Sequence, residues 1–255
     1  MTDTGYNKAA TVLGIVGTIL WCIQLLPQIY TNFRRKSTDG LPHLMPLLWA
    51  YSGILFGIYF LVLRPNLPLM IQPEIFTFLC FVVWAQCLYY GSKFSFIKTV
   101  VVVSVVIAFS AGIQTAATMP LLNSSLCHNN GTTSTCWPLL LIGVLAAVLI
   151  FVGLVPPYFE LWRRQGQVVG ISFLFLAIDS SGAIFSLVSI LLSGTGNGGN
   201  RTEEYLGMAL YIIVPLMEAG IVLSHFVWWL RIGRHEQKSH SDVEMAGRVT
   251  DAAKN

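Results

Sequence analysis

The sequence predicts an all-α, polytopic membrane protein with seven transmembrane helices, built as two parallel three-helix repeats joined by a linker helix (3+1+3). Hydrophobic residues make up 55% of the chain and charged residues only 11%, which is about half the charged share of a soluble domain. The charges separate seven apolar stretches, each near the roughly 20 residues that a helix needs to cross a bilayer. A proline followed at equal distance by an arginine pair recurs 129 residues apart, at Pro27 and Pro156. Such a recurrence indicates a duplicated structural unit.

The predicted elements follow in order along the chain. The seven spans cover residues 9–30, 41–63, 67–90, 96–119, 138–162, 168–192 and 205–230. The first three form one repeat, residues 9–90, and the last three form the other, residues 138–230. The fourth span, residues 96–119, is rich in valine and alanine. We interpret it as a linker that returns the chain to its starting side, so that the repeats run parallel. Residues 120–137 are a predicted loop, and residues 231–255 are a polar tail that we expect to be disordered.

The basic residues predict which side of the membrane each loop faces. Twelve of the fifteen Lys and Arg residues fall in segments on one side, and cytosolic segments carry such an excess. These twelve are Arg34, Arg35, Lys36, Lys93, Lys98, Arg163, Arg164, Arg231, Arg234, Lys238, Arg248 and Lys254. We therefore predict a lumenal N-terminus and a cytosolic C-terminus. Three N-glycosylation sequons, at Asn123, Asn130 and Asn200, all fall in predicted lumenal loops, which agrees with this orientation.

Two of the five cysteines, Cys127 and Cys136, lie in the predicted loop of residues 120–137. An oxidising lumen would allow a disulfide between them, and two free thiols are the alternative. A metal site is a weaker interpretation, because the neighbouring His128 brings the set to only three ligands in one short loop. We predict no metal site and no cofactor.

The repeated prolines predict bends within two spans. A proline inside a membrane helix removes a backbone hydrogen bond and frees a carbonyl group, which must then face protein or water. Pro27 and Pro156 are therefore candidate hinges, one in each repeat. Gln28 adds an amide beside the first bend, and Gln24 lies one turn earlier on the same face. We expect this face to line a substrate cavity.

Acidic residues inside the spans are the sharpest indication of a functional site. A carboxylate near mid-bilayer costs roughly 2.5 to 3.5 kcal/mol on insertion scales, so it is expected to face a cavity. Asp179 lies near the middle of the sixth predicted span, where burial disfavours the charged form and suits an acid that binds and releases a proton. The alternative is a structural hydrogen bond to a neighbouring serine or helix. Glu218 lies near the centre of the seventh span, and His225 follows it on the same face. We predict proton coupling at Asp179 and Glu218, and a cavity position for His225.

The segment from Pro27 to Leu41 resembles the PQ-loop motif. Members of that family share the seven-helix, 3+1+3 architecture and include lysosomal and vacuolar amino-acid exporters. Within the family, residues 179–187 are similar to cystinosin, a proton-coupled cystine exporter, because they follow its Asp-x-x-Gly-x-x-x-Ser-Leu pattern. The likeness implies the same coupling role for Asp179. The sequence departs from the motif at Pro157, which stands where the first repeat has glutamine.

Two further positions complete the predicted cavity. Trp49 lies nine residues after Gly40, just as Asp179 lies nine residues after Gly170. Trp49 is therefore expected to take in the first repeat the place that Asp179 takes in the second. Ser186, two turns beyond Asp179, is small enough to allow close helix approach.

These features predict proton-coupled export of a small amino acid, cystine-like or another zwitterion, from an acidic organelle to the cytosol by alternating access. The expected partners are the substrate, protons and the lipid bilayer, without nucleic acid, in a lysosomal or vacuolar membrane. No nucleophile elbow, P-loop or zinc-protease motif occurs in the sequence, so we predict no enzymatic activity. Three alternatives remain open: a cationic amino-acid exporter of the same family, a ligand-sensing receptor or scaffold, and an uncoupled sugar facilitator of the SWEET type.

Overall fold

The computed structural model describes residues 3–63, 67–123, 137–193 and 201–233, almost entirely as helix. The helices are α1 Asp3–Ile23, α2 Leu26–Arg35, α3 Leu44–Leu63, α4 Leu67–Gln86, α5 Phe96–Asn123, α6 Trp137–Arg163, α7 Phe173–Ser193 and α8 Arg201–Trp228. Five-residue π-helical turns, Cys87–Gly91 and Trp229–Gly233, extend α4 and α8. Within these described residues, seven stretches are long and apolar enough to cross a membrane, which confirms the predicted fold class.

The first span consists of two helices. It is broken at Gln24 and Leu25, between α1 and α2. Pro27 occupies the second position of α2, where its missing N–H cannot continue the hydrogen-bond ladder of α1. The second repeat behaves differently, because α6 runs without interruption through Pro156 and Pro157.

The helices of the two repeats pack in a reciprocal pattern. The first span contacts the second helix of the other repeat, as α1 packs on α7 and α6 packs on α3. Each third helix, α4 or α8, packs on the two other helices of its own repeat. This exchange is the pattern of a twofold axis along the membrane normal, which relates parallel repeats. The linker α5 rests on α3 and α4, and most of its surface is exposed.

Several helix limits differ from the predicted spans, and two of the differences affect predicted site residues. α5 continues through Pro120 to Asn123, so Asn123 is exposed on the last turn of a helix and not in a loop. α7 begins at Phe173, five residues after the predicted start at 168. Asp179 therefore lies only six residues into its helix, about 9 Å along the axis. Cys127, Cys136, Asn130 and Asn200 lie outside the described residues.

One end of the bundle carries the described basic clusters, and we call it the basic end. It carries Arg34, Arg35, Lys36, Lys93, Lys98, Arg163, Arg164 and Arg231. Here the α2–α3 loop and the α6–α7 loop press together. Gly40 and Gly170 have positive φ angles of 80° and 89°. A Cβ atom on Gly40 would clash with Val169, and one on Gly170 would clash with Asp39. Only glycine fits both the backbone angle and the close approach at these two positions.

Candidate functional site

Two acidic side chains meet inside the bundle, one from α7 and one from α8. Asp179 is 4% exposed and Glu218 is fully buried, and their side chains lie within hydrogen-bonding reach of each other. The Ser180 hydroxyl donates to Glu218 Oε2 at 2.6 Å, while Oε1 has no donor among the described residues. Two ionised carboxylates cannot donate to each other, so a hydrogen bond between them requires a proton on one of the two acids.

Gln24, at the break between α1 and α2, completes the environment of Asp179. With its amide nitrogen facing the acid, Gln24 donates Nε2–H to Asp179 Oδ1, and Oδ2 lies 3.3 Å from the same nitrogen. This amide orientation is assigned from the hydrogen-bonding partners. Cys80 of α4 lies close enough to Asp179 to interact with its charge. The site therefore sits where α1, α4, α7 and α8 converge.

Aromatic and small residues cover the site on the side away from the basic end. The Trp21 indole N–H donates to the backbone carbonyl of Asp179 at 3.1 Å, and its ring lies 5.1 Å from that of Tyr211. Ser186 hydrogen-bonds to Tyr211 and faces Gly17, where a Cβ atom would meet the serine hydroxyl. The predicted cavity residue Ser186 thus belongs to a close contact between α1 and α7.

Trp49 takes part in the equivalent contact of the other pair of helices. Its indole N–H donates to the backbone carbonyl of Ile150 at 3.1 Å, and a Cβ atom on Gly153 would clash with the indole ring. Ile150 and Gly153 lie six and three residues before Pro156, just as Trp21 and Gln24 lie before Pro27. In the α3–α6 contact the indole therefore fills the place that the Asp179 and Gln24 side chains share in the α1–α7 contact. Trp49 is 2% exposed and packs in the core against Phe76 and Phe175.

Gln28 lies beyond the break, on the buried face of α2, and connects the two repeats. Its Nε2 donates to the carbonyl of Gly170 at 2.7 Å and to Asn32 Oδ1 at 2.8 Å, and its Oε1 accepts the Ser172 N–H at 2.7 Å. Asn32 in turn donates to Gln86 Oε1 at 2.9 Å. We call Gln28, Asn32 and Gln86 the amide network. It ties α2 to α4 and to the loop that precedes α7.

His225 is not brought to the acidic pair. Its Nδ1 accepts the Val168 N–H at 3.1 Å, and its ring lies against Phe173 and Trp228. The seven residues from Glu218 correspond to about 10 Å along the helix axis. The structure therefore places His225 at the α6–α7 loop and leaves Asp179, Glu218 and Gln24 as the predicted site residues that meet.

An open cavity of about 470 Å³ lies at the basic end, away from the acidic pair. The α2–α3 loop, the π-helical turn after α4 and Glu160 line it. Arg164 pairs with Glu160 at 2.5 Å and with Asp39 at 2.8 Å. The hydrogen bond to Glu160, together with the charge of Asp39, raises the pKa of Arg164. The Asp39 pair is a second connection between the repeats, located at the surface.

Sequence reasoning missed several residues of these networks. Asn32 could have been predicted as a partner of Gln28, because it follows Gln28 by four residues and so lies on the same helix face. Gln86 was harder to predict, since the only indication is that it is a polar residue near the end of an apolar span. Nothing in the sequence indicated that Tyr158, whose hydroxyl donates to the Met217 carbonyl at 2.5 Å, lies near Glu218. Among the described residues, no group of three His, Cys, Asp or Glu side chains could hold a metal ion.

Comparison with known proteins gives one family and several relatives. Residues 9–69 and 139–197 match the PQ loop repeat, the two segments that contain Pro27 and Pro156. An uncharacterized membrane protein of Saccharomyces cerevisiae is 43% identical over 244 residues, which are 95% of this chain and 74% of the relative. An uncharacterized protein of Schizosaccharomyces pombe is 43% identical over 235 residues, covering 92% of this chain and 78% of its own length. The vacuolar lysine transporter YPQ1 of Saccharomyces cerevisiae is 38% identical over 88 residues, or 33% of this chain and 28% of that protein.

Proposed function

Because the chain belongs to the PQ-loop repeat family of multi-pass membrane proteins, we propose that it exports an amino acid from an acidic organelle to the cytosol, coupled to protons through Asp179 and Glu218. The observation that carries the proposal is the buried carboxyl pair. Two acids in contact inside a membrane protein are costly, and such residues mark proton or substrate pathways. The similarity to a vacuolar lysine transporter supports amino-acid transport and a vacuolar or lysosomal membrane.

The chemistry of the pair supports proton coupling. Loss of one proton leaves a single negative charge, which the Gln24 amide and the Ser180 hydroxyl are placed to stabilise by donating hydrogen bonds. Gain of a proton neutralises the pair, which lowers the cost of holding it in a dry interior. An acidic lumen favours the second state and a neutral cytosol favours the first. The pair can therefore load a proton on one side and release it on the other.

The charge balance of the interior favours a substrate that carries a cationic side chain. No Lys, Arg or His side chain is buried among the described residues, whereas Asp179 and Glu218 are. An ammonium or guanidinium group would find two acidic partners there, together with the Trp21 and Tyr211 rings, which can bind cations through their faces. A carboxylate would have no buried cation as its partner. The zwitterionic substrate expected from the sequence stays a prediction beside this cationic one.

The proposed cycle uses the contacts between the repeats as gates. With both acids buried, the structure resembles a state closed toward each side. Release to the cytosol would require parting of the α2–α3 and α6–α7 loops, which the amide network and Arg164 hold together at the basic end. We assign that end to the cytosol, because basic residues concentrate on cytosolic segments. The break before Pro27 is the proposed hinge of the first repeat, and Pro156 remains the candidate in the second.

The test is electrogenic flux of the purified protein in liposomes with one acidic and one neutral face. Lysine, arginine, histidine and cystine are applied to wild type, to Asp179→Asn and to a control, Glu74→Gln, which neutralises an exposed carboxylate of α4 that contacts Gln114 of α5. We expect a current with at least one amino acid in wild type, its loss in Asp179→Asn and its retention in Glu74→Gln.

The alternatives give different results. Ligand binding without current in wild type would contradict export and support a receptor. Flux that ignores the pH gradient and survives Asp179→Asn would support an uncoupled facilitator. Currents with cystine but not with lysine or arginine would overturn the cationic preference and leave proton coupling intact.

A further inference from the structure

The break in the first span holds an amide whose acceptor is the central acid. Gln24 and Leu25 are the residues that separate α1 from α2. The side chain of Gln24 is buried and donates to the carboxylate of Asp179 across the α1–α7 contact. A change at the acid is thus transmitted directly to the point where the backbone of the span is interrupted.

A second amide anchors the other side of the same break. Gln28, four residues later, is bound to Gly170 and Ser172, immediately before α7 begins. Besides the packing of α1 on α7, two amides therefore hold span 1 to the α7 region, one at the break and one beyond it. The partners of Gln28 in the α7 region are backbone groups, which do not titrate. Of these two amide contacts, that of Gln24 depends on the protonation state of its partner.

From this arrangement we infer that Gln24 is a positioning residue that couples the charge of Asp179 to the bend of the first span. The inference rests on the proposed proton coupling. It adds the residue through which a change of charge at Asp179 would change the bend between α1 and α2. An ionised Asp179 offers Gln24 two charged acceptor oxygens, whereas a protonated one has an O–H in place of one acceptor. Protonation of Asp179 therefore weakens the hydrogen bond between α7 and the end of α1. The hydrogen bonds of Gln28 to the segment before α7 are not affected.

The other groups near the acid do not replace Gln24. Glu218 of α8 and Cys80 of α4 face Asp179, and Tyr158 of α6 lies near Glu218. None of these is a basic group. Trp21 of α1 donates to the backbone of Asp179 and not to its carboxylate. Among the described residues, Gln24 is thus the side chain of the first span that responds to this charge.

The second repeat has no equivalent of the Gln24 amide at a helix break. The residue three positions before Pro156 is Gly153, which has no side chain, and Trp49 covers it. α6 is continuous there. The amide and the break therefore occur together in one repeat and are both missing from the other.

The experiment compares the pH dependence of transport in wild type, Gln24→Met and Gln114→Met. Gln114 of α5 is the matched control, because it donates to another carboxylate, the exposed Glu74 of α4, at 2.5 Å. Loss of the Gln24 donor destabilises the ionised acid, so the proton stays bound to higher pH. We expect the lumenal pH of half-maximal flux to rise by about one unit or more in Gln24→Met and to stay unchanged in Gln114→Met.

A conformational readout separates positioning from a merely structural role. In wild type, amide hydrogen exchange of residues 24–31, corrected for its intrinsic pH dependence, should increase between pH 7.5 and pH 5. In Gln24→Met it should be equally fast at both values. If Gln24→Met does not fold, Gln24→Leu also removes the amide donor without adding a titratable group, and its midpoint should rise in the same way.

Each outcome has one meaning. If wild type shows proton-driven flux and neither Gln24 variant shifts the midpoint, Gln24 does not position the acid and the inference is wrong. A pH-insensitive exchange rate at residues 24–31 in wild type would also overturn it. If wild type shows no proton-driven flux, it is the proposed function that fails.

Discussion

The two contacts that join the repeats, α1 with α7 and α3 with α6, have related geometry and different chemistry. In each, an indole N–H from one helix donates to a backbone carbonyl of the other, from Trp21 to Asp179 and from Trp49 to Ile150. The α1–α7 contact contains a titratable acid, an amide and a broken helix. Both contacts also place an indole against a glycine, Trp21 against Gly182 and Trp49 against Gly153. In the α3–α6 contact, however, both helices are unbroken.

The difference shows how duplication separates two requirements. A buried carboxylate needs polar partners, whereas the buried Trp49 indole gives dense contact without a charge. In the proposed function, the α3–α6 contact would serve as support and the α1–α7 contact would carry the proton chemistry. The two repeats also differ at the motif position that is Gln28 in the first repeat and Pro157 in the second. Gln28 accepts from the Ser172 N–H, but the corresponding position in the other loop is Pro42, which has no N–H to offer.

The largest expected effect on stability is at the α3–α6 contact. Trp49→Ala should lower the free energy of unfolding by about 3 to 5 kcal/mol, the range for truncating a buried aromatic side chain. Asp179→Asn should change stability far less while removing proton-driven flux. Thermal or denaturant unfolding in detergent measures the first, with Trp162→Ala as control, because Trp162 is 81% exposed. Equal destabilisation by Trp49→Ala and Asp179→Asn would show that the two contacts do not divide these tasks.

A second change sharpens the comparison at the glycine beneath Trp49. Gly153→Ala should destabilise the protein by about 1 to 3 kcal/mol, because the new Cβ atom would push against the indole in a packed core. Gly112→Ala is the control, since nothing lies near that position on α5. The control should be neutral or slightly stabilising, as alanine is the better helix former. A neutral Gly153→Ala would mean that the contact is loose.

A third change breaks the connection that only the first repeat makes. Gln28→Leu leaves the Ser172 N–H and the Asn32 side chain without their partner, so we expect a loss of about 1 to 3 kcal/mol. Amide exchange at Ser172 should accelerate with it. Gln114→Leu, which removes an exposed amide contact, should leave that exchange unchanged. Unaltered protection of Ser172 in Gln28→Leu would contradict the role of the amide network.

The smallest effect belongs to the surface connection. Asp39→Asn removes the ion pair with Arg164, in which both side chains are partly exposed. Exposed ion pairs contribute about 0 to 1 kcal/mol to the free energy of unfolding. The change in melting temperature should be within a degree or two and should vanish in high salt. A larger, salt-independent effect would show that Arg164 is a principal link between the repeats.

The sequence was sufficient for the spans and for the acids, and the reasons are physical. A bilayer imposes one length requirement on every helix, and acids are rare enough in spans to stand out. The sequence indicated a polar face at Gln24 and Gln28 but not its partners, which are distant in the chain and are brought close only by packing. It also treated Pro27 and Pro156 alike. Whether a proline breaks a helix depends on what satisfies the freed groups around it, and that differs between the repeats. His225 lies on the same helix face as Glu218, but the two residues lie at different depths in the bundle, which their shared face does not reveal.

The interlocked loops at Gly40 and Gly170 also bear on how the protein is made. The two loops approach each other so closely that neither glycine leaves room for a Cβ atom, and they lie 130 residues apart in the chain. At ribosomal rates of about 5 to 20 residues per second, the first repeat would wait in the membrane for roughly 6 to 26 s before its counterpart is synthesised. During that interval its loop would lack its counterpart at the membrane surface. Biogenesis of the first half is thus completed by the second.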